Sequence, residues 1–243
     1  QNIPGSENNA FYQPAISSKD NQAAIYLSDG DGKILQNLGL DRDVVSHELS
    51  HHIIYETLKK TTGESLLLHE GLADYFSFSY SKDPCLGESI CPEFSSACVL
   101  QNQCLRSAQN QIRYDDEDFY EQGSHEQSQL ISGYLWDLRK KVGIEYTDQV
   151  VFHALSYLVA TSGLKDFLIS LMFADLSLAG GSHSCDIYQA AQDRGFSSLI
   201  EDVNCEDPSM WQKPEEEVFP RLLSSSKHQK QKPLPTGGLS CAT

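Results

Sequence analysis

Positive charge is scarce in this 243-residue chain: 18 Lys and Arg stand against 34 Asp and Glu, a formal net charge of −16. That argues against a nucleic-acid partner, which needs a basic patch. It implies solubility, with at most a mild preference for cationic substrates. Long apolar runs are missing too. The longest, Val150–Val159, is interrupted by His153 and Ser156 and is too short to cross a membrane. No charged-then-apolar leader is present and the first residue is Gln1, so the chain reads as a mature or trimmed product. The seven cysteines lack the paired C-x2-4-C spacing of a structural zinc site, since Cys85, Cys91, Cys98 and Cys104 lie six, seven and six residues apart. Disulfides are the better reading, and they imply a secreted or otherwise extracytoplasmic setting. Local pairing among those four is expected, together with Cys185–Cys205; Cys241 sits in a polar tail, free or paired elsewhere. No internal repeat is evident.

What is present centres on His47-Glu48-Leu49-Ser50-His51. On a helix, positions i and i+4 project one above the other, so His47 and His51 could bind one ion. Glu48, displaced around the helix, borders the metal without ligating it. Two neutral His ligands, an adjacent carboxylate and room for a water are what zinc-dependent peptide hydrolysis requires. Eighteen residues separate His51 from Glu70, which lies in Ser65-Leu-Leu-Leu-His-Glu70-Gly-Leu-Ala-Asp74-Tyr-Phe-Ser-Phe78, a second helix with Ser65 as expected N-cap and an apolar face from Leu66, Leu67, Phe76 and Phe78. Glu70 supplies a third ligand and leaves the fourth position open, as catalytic zinc sites do. Asp74, one turn on, is placed to accept the outer N–H of a ligand His. Asp41 or Asp43 begins the first helix.

With these residues in place, the chain resembles the gluzincin metallopeptidases, nearest the thermolysin-like and fungalysin-like secreted enzymes. The matching segments are Asn8–Tyr12, Ile25–Gly32, Asp43–His51 and His69–Phe76, with looser likeness over His125–Arg139 and Asp166–Phe196. The resemblance implies one catalytic zinc on His47, His51 and Glu70, and attack by its water on the scissile carbonyl with Glu48 as proton carrier. His125 would stabilise the oxyanion. It implies an edge strand holding extended substrate through the Asn9 side chain and the Ala10 backbone, with Val44 lining a pocket for the residue after the cleaved bond. Arg106 or Arg113 would bind a substrate carbonyl. The family's Asp that orients the catalytic His falls on Tyr120, so Asp118 or Glu121 would substitute, and its auxiliary Tyr falls on Thr61. Asp43 occupies a calcium-ligand position of some relatives, but the other calcium ligands have no match around Ser81–Ser89, so helix-dipole stabilisation is the default. His52, His69, His153 and His183 read as ordinary.

The implied fold is α+β: a small strand-containing N-terminal lobe over a mainly helical body, a zincin fold with zinc in the cleft between them. Residues 1–40 form the strand region, with a strand at Ala23–Leu27. Residues 41–206 form the catalytic body, with a Cys-rich insertion at 81–122 and later helices at Asp148–Leu158, Leu164–Leu178 and Cys185–Arg194. Residues 207–243 form a polar tail. The expected function is that of a monomeric zinc endopeptidase acting on peptide or protein substrates, with a pro-segment or further domains outside this chain. A zinc aminopeptidase, a non-catalytic zinc-bearing adhesin and a structural zinc protein are the other readings. Gly5-Ser-Glu7-Asn-Asn9 copies an aminopeptidase's amine-binding segment poorly, the intact Glu48 argues against the adhesin, and an open site argues against the structural protein.

Overall fold

The computed structural model describes residues 6–18, 21–98, 103–200 and 239–240. Cys205, Cys241 and the tail at 207–243 apart from Leu239–Ser240 lie outside them. In chain order the elements are β1 (Ala10–Gln13), β2 (Ala24–Leu27), α1 (Arg42–Tyr55), α2 (Glu64–Ser81), β3 (Cys85–Leu86), β4 (Arg106–Ser107), α3 (Ser124–Val142), α4 (Ile144–Ala154), α5 (Leu164–Ala179), α6 (Ser184–Asp193) and β5 (Leu239–Ser240). The architecture is mostly helical, with two small sheets.

Capping sets the start of α1. The Asp41 carboxylate accepts the backbone N–H groups of Asp43 and Val44 at 2.8 and 3.0 Å, satisfying donors that a helix start leaves orphaned. α2 begins differently from the sequence expectation. The residue before it is Gly63, at φ 60° and ψ −144°, where glycine alone is comfortable. Ser65 lies inside the helix, and its hydroxyl donates to the Ser162 carbonyl at 2.8 Å. A tertiary partner thus takes the group that local propensity assigned to a cap.

α2 is the axis of the body. Twelve of its eighteen residues are buried, because α1, α3 and α5 all pack on it; a helix wrapped this way loses the usual polar stripe. The expected face is one of several, with Leu67 and Phe78 buried and Leu66 and Phe76 half-buried. Leu68, Leu72 and Tyr75 join Leu130, Tyr134, Leu135, Phe167, Leu171 and Phe196 in one large core. A smaller cluster holds Ala10, Leu35, Leu38, Val44, Phe78 and Leu86 beneath the strands.

Close approach of α2 and α3 depends on Gly71. A Cβ there would stand 2.5 Å from the Ile131 Cβ and 2.6 Å from the Ser128 carbonyl oxygen, and neither can yield without moving backbone. Gly71→Ala is therefore expected to destabilise the chain by about 1–3 kcal/mol, measured by urea unfolding. Unchanged stability would mean the two helices separate freely.

β1 pairs antiparallel with β2, Ala10 opposite Leu27 through Gln13 opposite Ala24. β1 is not an edge strand, however: β5 pairs with its other side, in the order β2-β1-β5. The 81–122 insertion carries the β3–β4 hairpin and two disulfides, Cys85–Cys104 and Cys91–Cys98, in line with local pairing. Cys185 is also disulfide-bonded. The expected later helices appear as α4, α5 and α6, with α4 starting earlier, at Ile144, directly after Gly143.

Candidate metal centre and active site

α1 and α2 lie side by side, the Ser46 and Ser77 hydroxyls 2.8 Å apart and Ser77 donating to the Asp43 carbonyl at 2.8 Å. That packing sets His47 and His51 opposite Glu70. The Glu70 Oε2 lies 3.4 Å from His47 Nε2 and 3.6 Å from His51 Nε2. All three side chains are buried, and none of these three atoms has a hydrogen-bond partner. Three orphaned ligand atoms facing one another in a dry site would be costly unless something binds them. Donors on a tetrahedral ion with bonds of ~2.0–2.1 Å stand roughly 3.3–3.4 Å apart, so the set fits zinc. These three form the one His/Cys/Asp/Glu cluster of metal-holding geometry among the described residues.

Electrostatics around the ligands is set by burial and by specific partners. Asp74 Oδ1 lies 2.8 Å from His47 Nδ1, which directs that nitrogen's proton outward and leaves Nε2 for an ion. Burial lowers the His47 pKa, but Asp74 and Glu70 outweigh it and lift it to about 9 in the ion-free chain; uptake of a cation would displace that proton. Burial lowers His51. Asp74 would be raised by burial but is held at about 2 by Arg106 and His47. Glu48, buried with neither carboxylate oxygen hydrogen-bonded, is raised to about 8 by burial, against the pull of the His47 charge.

Two further residues take their places here. Arg106, not Arg113, belongs to the centre. Its Nε and Nη2 donate to both Asp74 oxygens at 2.8 Å, and it is buried. Arg113 instead pairs with Asp115 on the surface. His125, at the start of α3, brings Nδ1 to 3.3 Å from Glu70 Oε2. Gly71 permits this by letting α3 approach one residue from Glu70. Neither substitute for the family's orienting Asp meets it, since Asp118 and Glu121 are exposed and Tyr120 donates to the Tyr114 hydroxyl. Thr61 lies in the α1–α2 connection, half-buried. His69, read as ordinary, is buried with Nε2 2.7 Å from the Leu58 carbonyl. Its pKa falls to about 3 through burial, then the neighbouring His51, so the neutral ring donates and ties that connection down.

The expected substrate contacts divide. Ala10 is buried in β1 and Asn9 half-buried beside it. Their strand has β5 on the side that would have been the open edge, which corrects the edge-strand expectation. Val44 is fully buried with Leu38 and Phe78 in the smaller cluster, so it supports the floor rather than lining an open pocket. Asp43 has its carboxyl raised to about 6 by burial, then by Asp41 and Glu88.

No family model matches the chain. Among curated proteins it is 25% identical over 178 residues to bacillolysin of Bacillus amyloliquefaciens, covering 67% of this chain and 33% of that protein. It is 28% identical over 194 residues to the zinc metalloproteinase of Listeria monocytogenes, covering 75% and 36%. With the extracellular elastase of Staphylococcus epidermidis it shares 26% identity over 171 residues, covering 67% and 33%. The chain thus spans about a third of the length of these relatives. Among solved structures, the precursor of protealysin, a metalloproteinase from Serratia proteamaculans, superposes with a TM-score of 0.59 at 17% identity, over 74% of this chain and 67% of that one, which shows a shared fold. No helix among the described residues is long and apolar enough to cross a membrane. The resemblance first visible in the His47–His51 and Glu70–Asp74 segments is thus met by sequence relatives and by a shared fold: the chain is similar to the thermolysin-like zinc metallopeptidases.

Proposed function

We propose that the chain is a zinc endopeptidase that hydrolyses internal peptide bonds outside the cytoplasm. The observation that carries this reading is the convergence of His47 Nε2, His51 Nε2 and Glu70 Oε2, buried and unpartnered, beside a Glu48 that none of them engages. When bound there, zinc supplies a Lewis acid and an acidified water. Glu48 accepts the water's proton and delivers it to the departing amine. His125 lends an N–H to the negative charge growing on the carbonyl oxygen. Asp74 holds the His47 tautomer, and Arg106 holds Asp74. Secretion is supported by the two disulfides and by relatives named as extracellular enzymes. A peptide or protein is the substrate, and a pro-segment is a fitting partner given the protealysin precursor's fold.

The test is zinc content by mass spectrometry together with cleavage of an internally quenched peptide blocked at both ends. One zinc per chain is expected, with internal cleavage that a chelator abolishes and added zinc restores. A chain that takes up no zinc, or cuts only peptides with a free amine, would sink this reading.

A further inference from the structure

Arg106 is carried to Asp74 by β4, a strand of two residues. A hairpin that short does not hold its own position, so whatever docks it decides where the guanidinium lies. The hairpin is tied to itself by the Leu105 and Ala108 amides, which donate to the Leu86 and Pro84 carbonyls at 2.8 Å each, and by the Cys85–Cys104 disulfide. Those ties make it one unit but do not say where on the body it sits. α3 does. Gln129 is buried, and its Oε1 accepts the Ser107 N–H at 3.1 Å, the amide directly after Arg106. The Gln129 carbonyl accepts Asn110 Nδ2 at 2.9 Å, and the same Nδ2 donates to the Ser107 carbonyl at 2.9 Å. Both backbone groups of Ser107 are thus tied to one turn of α3. Gln129 follows His125 by four residues, so the two side chains leave the same face of the helix. One reaches Glu70 and the other the strand of Arg106.

We propose that Gln129 is a positioning residue of the metal centre: its side chain seats the stapled hairpin on α3, so that Arg106 grips Asp74 and Asp74 orients His47. The proposal rests on the zinc site of the peptidase reading above. Gln129 acts through three links in series. They are the Ser107 backbone, the paired 2.8 Å bonds from Arg106 to Asp74, and the 2.8 Å contact of Asp74 with His47 Nδ1. Close-packed surroundings transmit a displacement rather than absorb it, so a shift of β4 arrives at the ligand ring. The same amide keeps the Arg106 strand and His125 in step, because both are referred to one helix. The competing reading is that Gln129 only satisfies a strand amide. Its loss would then lower stability and leave the ligands where they are.

The test is Gln129→Met in the full chain, which keeps the side chain's length but removes the acceptor. Two quantities are read: zinc affinity, by competition with a chromogenic chelator, and solvent exchange of the Arg106 Nε–H in the ion-free chain, by proton–nitrogen NMR. Gln129→Met should weaken zinc binding about tenfold and speed that exchange by about tenfold. In a background of Arg106→Leu with Asp74→Leu the relay is gone, and the same substitution should change zinc affinity by less than about twofold. Ser184→Ala serves as control, since it removes a buried hydrogen bond to Asp175 between α5 and α6; its zinc affinity should match the parent's. Lower stability with unchanged zinc affinity and unchanged Arg106 exchange would overturn the proposal. So would an equal loss of affinity in the Leu-Leu background, or a comparable loss in Ser184→Ala. Should Gln129→Met not fold, Asn110→Ala, which removes the donor to the Ser107 carbonyl, takes its place with the same expectations. A parent that binds zinc but cleaves no peptide would sink the peptidase reading alone, while affinity and exchange still decide the role of Gln129.

Discussion

Replacing Glu48 by Gln is expected to lower peptide hydrolysis by about 10²- to 10⁴-fold while the metal stays bound. Gln keeps the size and shape of the side chain but cannot take a proton from water. Metal retention follows from geometry, because Glu48 lies outside the His47–His51–Glu70 ligand cluster. Stability should not fall. Both Glu48 oxygens are buried without partners, so the carboxylate is a group the fold carries for chemistry rather than for packing. Turnover and zinc content of the same preparation check the prediction. Activity within about tenfold of the parent would remove Glu48 from the role of proton carrier, and loss of zinc would make it a ligand.

Asp74→Ala has the largest expected effect on the folded state. Arg106 reaches Asp74 through two 2.8 Å hydrogen bonds in a buried site, and removing the carboxylate strands a guanidinium without a counter-charge. Breaking a buried pair from one side costs about 3–5 kcal/mol, whereas replacing both partners with apolar residues is often nearly neutral. Urea unfolding of the ion-free chain should show that loss for Asp74→Ala and recover most of it for Asp74→Leu with Arg106→Leu. Zinc affinity should behave differently. His47 loses the acceptor that sets its tautomer in both variants, so affinity should fall about 10- to 100-fold in each. A single variant costing less than about 1 kcal/mol, or binding zinc as tightly as the parent, would contradict this account.

What the sequence made legible was what depends on short-range periodicity. The i, i+4 spacings put His47 with His51 and Glu70 with Asp74, and the helices delivered them as read. The three later helices followed from their apolar spacing. Arg106 could not be separated from Arg113, because its reach to Asp74 passes through a stapled hairpin in a stretch with no periodicity to place it. Ser65 looked like a cap since nothing local announces its distant partner Ser162. The edge of β1 looked open since its partner, Leu239–Ser240, comes from the far end of the sequence. Val44 lost its expected pocket to packing: Leu38 and Phe78 close over it from other elements. Each miss is a contact between segments that sequence spacing does not relate.

The wrapping of α2 also bears on how this chain can change over generations. A helix enclosed by α1, α3 and α5 has almost no solvent side on which substitutions accumulate harmlessly, and here that helix carries Glu70, Gly71 and Asp74. Amphipathic elements and the acidic loops can drift, exchange charges or lengthen. α2 cannot move without breaking either the core or the ligand set, so structural and chemical selection fall on the same eighteen residues. Variation in substrate choice is therefore open chiefly to the strands and the stapled insertion around it.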